Sequence, residues 1–281
     1  FYSDLGQDER LYAKFRTIKN SAEFVNLNAA QQKIIENELR DFRLGGAELP
    51  DQEKARFKEI QEALSKVTTK FEENLMDTVN DYAHFVEDIS ALKGLPEDAI
   101  EAAQESAKTD GKTGYKFTLH FPSYMPVLQY SENRELRALL YRAYATRASE
   151  FGKAEWDNTP LMSEILKLRL EAAKILGYKN YAEMSLATKM ADSPTDVAKF
   201  LDNLAQRAKP FAQKDMQELT EYAAKLGIQD MQAWDVAYVS EKLREDKYAF
   251  SDQEVKQYFP ESQVLAGLFK VVETIFGVHV K

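Results

Sequence analysis

The chain predicts an all-α protein of mainly long helices, with one short β excursion near residues 115–121. Three observations carry that expectation. Only 11 Gly and 8 Pro occur in 281 residues, where an average chain of this length would hold about 34 of them, so turns are few and helices long. Apolar residues recur at gaps of three or four through Phe57, Ile60, Leu64, Val67, Phe71, Leu75, Val79, Tyr82, Val86 and Ile89, the spacing of one helical face. Cap residues, first-turn prolines and glycine stops bracket the periodic runs.

Taken in order, residues 8–25 and 28–43 read as two amphipathic helices, the second opened by Asn28 and stopped by Gly45-Gly46. Pro50 sets the first turn of the longest element, predicted from 51 to about 92 and roughly 60 Å long. Gly94 ends it, and Pro96 opens a short helix to about Lys108. Asp110-Gly111-Lys112-Thr113-Gly114 is a turn by composition. Tyr115, Phe117, Leu119 and Phe121 then alternate with polar residues, as in a half-buried strand, and no second strong strand pattern stands nearby. Helices resume over 131–150, with Ser131 as N-cap. Another is opened by Thr159-Pro160 and stopped at Gly177, and a third runs from Ser193-Pro194-Thr195-Asp196 to Gly227. Pro210 inside that third run removes a backbone hydrogen bond and predicts a kink or a break. Ser251-Asp252-Gln253-Glu254 reads as a capping box, and Pro260 begins a last helix to about Phe276. The softest boundary, at 110–126, divides an N-terminal helical region (1–112, with the long helix near 51–92) from a second helical region (113–281).

Composition closes several functional classes. At 44% hydrophobic and 30% charged residues, the chain can build a core and is no disordered segment. Lys and Arg (37) against Asp and Glu (46) give a net charge of −9, and no basic run exceeds two residues, so the expectation is no nucleic-acid partner. No stretch approaches the ~18 consecutive apolar residues of a membrane span, so no membrane partner is expected. The absence of Cys removes disulfides, thiolate metal sites and a Cys nucleophile, and fits a reducing, cytoplasmic setting. The start at Phe1, without an initiator Met or a signal-peptide pattern, and the end just after Phe276-Gly277-Val278-His279-Val280 read as cut ends of something longer.

The chemistry-bearing residues are sparse. The three histidines, His84, His120 and His279, are too far apart to form the i, i+4 imidazole pair of a helical zinc motif. Asp81, His84 and Asp88 would share one face of the predicted long helix, which reads either as a metal site or as the solvated stripe opposite its apolar face. The stripe is the better reading, since no fourth ligand accompanies them. His120 falls on the polar side of the predicted strand. Serine-nucleophile, phosphate-loop and dinucleotide fingerprints are absent. Paired carboxylates such as Glu72-Glu73 and Glu245-Asp246 read as surface solvation. Tyr141, Tyr144, Tyr178, Tyr181, Tyr222, Tyr238, Tyr248 and Tyr258 crowd the second half. Tyrosine suits a peptide-holding cleft, but it serves core packing more often.

Several segments carry a family likeness: Phe42-Arg43-Leu44-Gly45-Gly46-Ala47-Glu48-Leu49-Pro50, Leu176-Gly177-Tyr178-Lys179-Asn180-Tyr181-Ala182-Glu183, Trp234-Asp235-Val236-Ala237-Tyr238, and Tyr258-Phe259-Pro260 with Val264-Leu265-Ala266-Gly267-Leu268-Phe269. In their order along the whole chain they resemble the thimet oligopeptidase family of zinc metallopeptidases. The resemblance implies a two-lobed helical protein whose deep channel admits short unstructured peptides. It also implies one zinc, held by a helical H-E-x-x-H and a further Glu, with the motif's Glu activating the metal-bound water. No H-E-x-x-H occurs here; His84-Phe85-Val86-Glu87 has the wrong order. No catalytic, cofactor-binding or metal residue can therefore be carried onto this chain. Zinc is expected in the intact enzyme and not on this segment, which would supply the N-terminal lobe and channel-wall helices and be inactive alone. The expected partners are short peptides and the C-terminal catalytic part, missing or present as a separate chain. The alternative is a non-catalytic helical peptide-binding or scaffold protein.

Overall fold

The computed structural model describes residues 5–249 and 252–280, and the chain is mainly helical. It divides into two compact units, each drawn from two stretches of sequence: Phe1–Thr78 with Ala148–Ala208, and Val79–Arg147 with Lys209–Lys281.

In the first unit, α1 (Glu9–Lys19) starts where the Asp8 carboxylate accepts hydrogen bonds from the N–H groups of Arg10 and Leu11. It is shorter than the predicted 8–25, because the chain turns at Asn20 and closes a separate 3₁₀ turn at Phe24–Asn26. α2 (Ala29–Leu44) opens on the reciprocal capping box of Asn28 and Gln31. Of the two stop glycines, only Gly46 adopts a left-handed conformation, at φ 90°. Gly45 is required for space, since a Cβ there would stand 2.7 Å from the Gly6 carbonyl oxygen. α3 (Asp51–Asp81) buries Phe57 and Ile60 against Ala172 of α7 (Thr159–Ile175), with Leu64, Leu168 and Ile175 around them. The short α8 (Tyr181–Leu186) follows, and α9 (Pro194–Lys225) begins here on the Ser193–Asp196 cap.

The predicted continuation of α3 to residue 92 is a correction. The helix ends at Asp81, and His84–Val86 forms β1, antiparallel to β2 (Tyr115–Phe117), pairing His84 with Phe117, Phe85 with Lys116 and Val86 with Tyr115. Tyr82 and Val86 satisfy helical spacing, yet both pack on the second unit's core around Leu92, Phe117, Leu119, Val127 and Leu140, and tertiary packing overrides the local pattern. The β excursion is thus a two-stranded sheet, and its second strand stops at Phe117. A helix missing from the prediction follows: α5 (Phe121–Tyr130), with Pro122 in its first turn. α6 (Arg134–Ala145) starts later than expected, because Asn133, not Ser131, caps it by accepting from the Leu136 N–H at 3.1 Å. Between the strands, α4 (Glu97–Thr109) opens at Pro96 as anticipated.

α9 runs unbroken through Pro210. Residues 201–210 are exposed, so water can take the carbonyl that the proline leaves without a donor. The second unit continues with α10 (Val236–Tyr248), α11 (Asp252–Lys256) and α12 (Glu261–Phe276). The anticipated Ser251 cap lies outside the described residues. α12 begins after Pro260 and ends on left-handed Gly277, and none of its residues is buried.

Candidate functional site

The sequence places one metal reading on Asp81, His84 and Asp88, and the break in α3 removes its premise. Asp81 ends a helix, His84 sits in β1, and Asp88 caps the 3₁₀ turn Ile89–Leu92, where Ser90 donates to it from its N–H at 2.8 Å and from its hydroxyl at 2.5 Å. No helical face is shared. His84 is half-buried, and that burial pushes its imidazole below the ordinary value. His120 is an exposed residue at the start of α5, and His279 lies 2.7 Å from the Glu273 carboxylate. Among the described residues no group of three or more His, Asp or Glu could hold a metal ion. The described residues do not fit a zinc site.

The tyrosines divide between packing and surface. Tyr144 stacks on Tyr124 with ring centroids 4.3 Å apart, and the Arg147 guanidinium lies 3.4 Å from the Tyr144 centroid. Burial, reinforced by Tyr144, pushes the Tyr124 hydroxyl up to about 12. Tyr141 lies against Trp234, Tyr222 donates to the Lys242 carbonyl at 3.2 Å, and Arg169 stands over Tyr181. Tyr248 and Tyr258 are exposed.

Sequence reasoning missed the most constrained polar cluster. Asp235, fully buried, accepts from Arg134 Nε at 3.0 Å and Nη2 at 2.7 Å, from Arg137 Nη2 at 2.6 Å and from the Gln232 N–H at 3.0 Å. Arg137, only 1% exposed, also donates to the Ser131 carbonyl at 2.6 Å and lies over Tyr238. Burial favours the protonated Asp235 carboxyl, but the hydrogen bonds from Arg134, the Gln232 N–H and Arg137 outweigh it and hold the group below the usual carboxylate range. The available signals were a lone acid inside the apolar Trp234–Tyr238 run and Arg137 beside Leu136 and Leu140.

The first unit holds a neutral counterpart. Asn74 and Asn158, both buried, join α3 to the start of α7: Asn74 Nδ2 donates to Asn158 Oδ1 at 2.9 Å, and Asn158 Nδ2 to the Phe71 carbonyl at 3.0 Å.

Two surfaces offer apolar contact. In the first unit a groove of about 420 Å³ runs between α3 and α7, lined by Phe71, Met162, Ile165 and Leu166, with Glu72 and Arg169 at its polar positions. In the second unit α12 leaves Leu268, Val271, Ile275 and Phe276 more than half exposed. No helix among the described residues is long and apolar enough to cross a membrane.

Comparison with known proteins places this geometry in context. Residues 127–281 match the model of peptidase family M3, and residues 1–54 match the neurolysin/thimet oligopeptidase N-terminal domain. The chain is 47% identical over 278 residues to oligopeptidase A of Haemophilus influenzae, covering 98% of this chain and 41% of that protein. It is 42% identical over 280 residues to oligopeptidase A of Escherichia coli, covering 99% and 41%. Saccharolysin of Saccharomyces cerevisiae is 28% identical over 256 residues, covering 88% and 34%. The chain spans about two-fifths of the length of the bacterial relatives it matches.

Proposed function

The chain belongs to peptidase family M3, and from that membership we propose that it is a segment of an oligopeptidase A-like zinc metalloendopeptidase. In this reading the whole enzyme is cytoplasmic and hydrolyses short unstructured peptides in a deep channel. Residues 1–112 form its N-terminal helical region, and 113–281 lead toward the zinc-binding part. Zinc and the water it activates belong to residues outside this chain, and the segment contributes channel-wall helices without cutting peptides itself.

The observation that carries the reading is the in-order match of 98% of the chain to 41% of a bacterial oligopeptidase A, with no H-E-x-x-H in that span. The exposed apolar side of α12 supports it, since such a face calls for covering protein. The test is hydrolysis of a quenched fluorescent peptide by the purified 281-residue chain, with and without a chelator. No chelator-sensitive cleavage is expected, and chelator-sensitive turnover would overturn the assignment. The α3–α7 groove favours one other reading, a non-catalytic helical peptide binder. Sequencing the gene past the Lys281 codon separates the two: an in-frame H-E-x-x-H supports the enzyme, and a stop codon leaves the binder.

A further inference from the structure

In the first unit α1 and α2 line a cleft of about 540 Å³. Tyr12, Arg16 and Lys19 line it from one face of α1, at i, i+4 and i+7. Glu36 and Arg43 line it from α2, and Glu48 from just beyond. The two carboxylates are already engaged. Glu36 pairs with Lys19 at 2.6 Å, and Glu48 accepts the Tyr12 hydroxyl. Among the described residues neither Arg16 nor Arg43 has a carboxylate partner within 4 Å, whereas the neighbouring Arg40 is taken by Asp41 at 2.8 Å and Asn37 at 3.1 Å.

Two guanidiniums with no ion pair among the described residues therefore share one concave surface with Glu36 and Glu48, on a chain of net charge −9. Burial, and after it Glu48, pushes the Tyr12 hydroxyl up, and both Arg16 and Arg43 act against that rise. With Lys19 the cleft carries three cations against the carboxylates of Glu36 and Glu48, and an incoming anion can balance the excess. The planar guanidinium presents a fork of donors matched to tetrahedral and carboxylate oxyanions, and two forks on one cleft can hold such a group from two sides.

We propose that the α1–α2 cleft binds a small free oxyanion of the phosphate class, gripped by Arg16 and Arg43. The site lies outside the groove considered for peptides and does not depend on the peptidase reading.

Titration of the full 281-residue chain with inorganic phosphate, at ionic strength held constant with sodium chloride, tests it by calorimetry and thermal melting. Saturable binding is expected, with a rise in Tm that matched chloride does not reproduce. Arg16→Gln and Arg43→Gln should each weaken phosphate binding by about tenfold and leave the phosphate-free Tm close to the parent's, since both side chains are exposed. Lys66→Gln, an exposed change on α3, should leave the response intact. A phosphate effect equal to that of chloride, or one that persists in the Arg16→Gln/Arg43→Gln double variant, would overturn the proposal. Because the single variants are expected to melt with the parent when phosphate is absent, loss of binding through unfolding is visible in the same experiment.

Discussion

In the first unit a buried pair of asparagines joins residues 84 positions apart; in the second, Asp235 and two arginines join residues 98 and 101 positions apart. Both ties bring a helix and a distant segment together through polar atoms taken out of water. The amides need only reciprocal donors and acceptors, and losing one partner strands a neutral group. The carboxylate and guanidinium must also balance charge, so losing one partner strands an ion. One unit is therefore stitched by a contact indifferent to pH, the other by a contact that depends on the charge of Asp235.

The largest break in that comparison should come from Asp235→Asn, which keeps the shape and leaves Arg137 buried without its counter-charge. A loss of about 3–5 kcal/mol is expected, read as a lower urea midpoint with an unchanged slope. Acid should expose the same asymmetry. The folded-state pKa of Asp235 is depressed, so its contribution is present above the unfolded value near ~3.9 and is lost as pH falls toward the folded one. The stability gap between the parent chain and Asp235→Asn, followed by urea unfolding from pH 7 to pH 3, should close only at the acid end. Asn158→Leu should cost less, about 1–3 kcal/mol, the penalty for one stranded Asn74 amide, with the same value at both pH extremes. A pH-dependent loss there would mean that the amide tie is not the neutral contact described. Arg134→Ala should cost least, about 1 kcal/mol, because its side chain is 42% exposed and Arg137 still neutralises Asp235.

The same contrast explains what was legible in the residues. Helix starts marked by a local side-chain contact were readable, as at Asn28 and Ser193, because the cap and its target lie three positions apart. The end of α3 was not, since Tyr82 and Val86 fit a helical face and are claimed instead by a core built from residues 92–140. Ser131 looked like a cap from its position alone, while Asn133 makes the bond. That this chain holds no zinc motif was plain from three scattered histidines. The Arg137–Asp235 tie was hidden for the opposite reason: neither residue has anything nearby in sequence to announce its partner.

The composition of each unit from two separated stretches also fixes an order of events on the ribosome. Phe57 and Ile60 emerge early but find Ala172 only after the intervening residues, most of which belong to the other unit, have been made. Arg56 waits 115 residues for Glu171. The nascent first unit must therefore hold an unfinished apolar surface while the first stretch of the second, residues 79–147, is being synthesised. Pauses in translation between residues 79 and 172 would lengthen that exposure, and a chaperone that shields helices would find its longest window there.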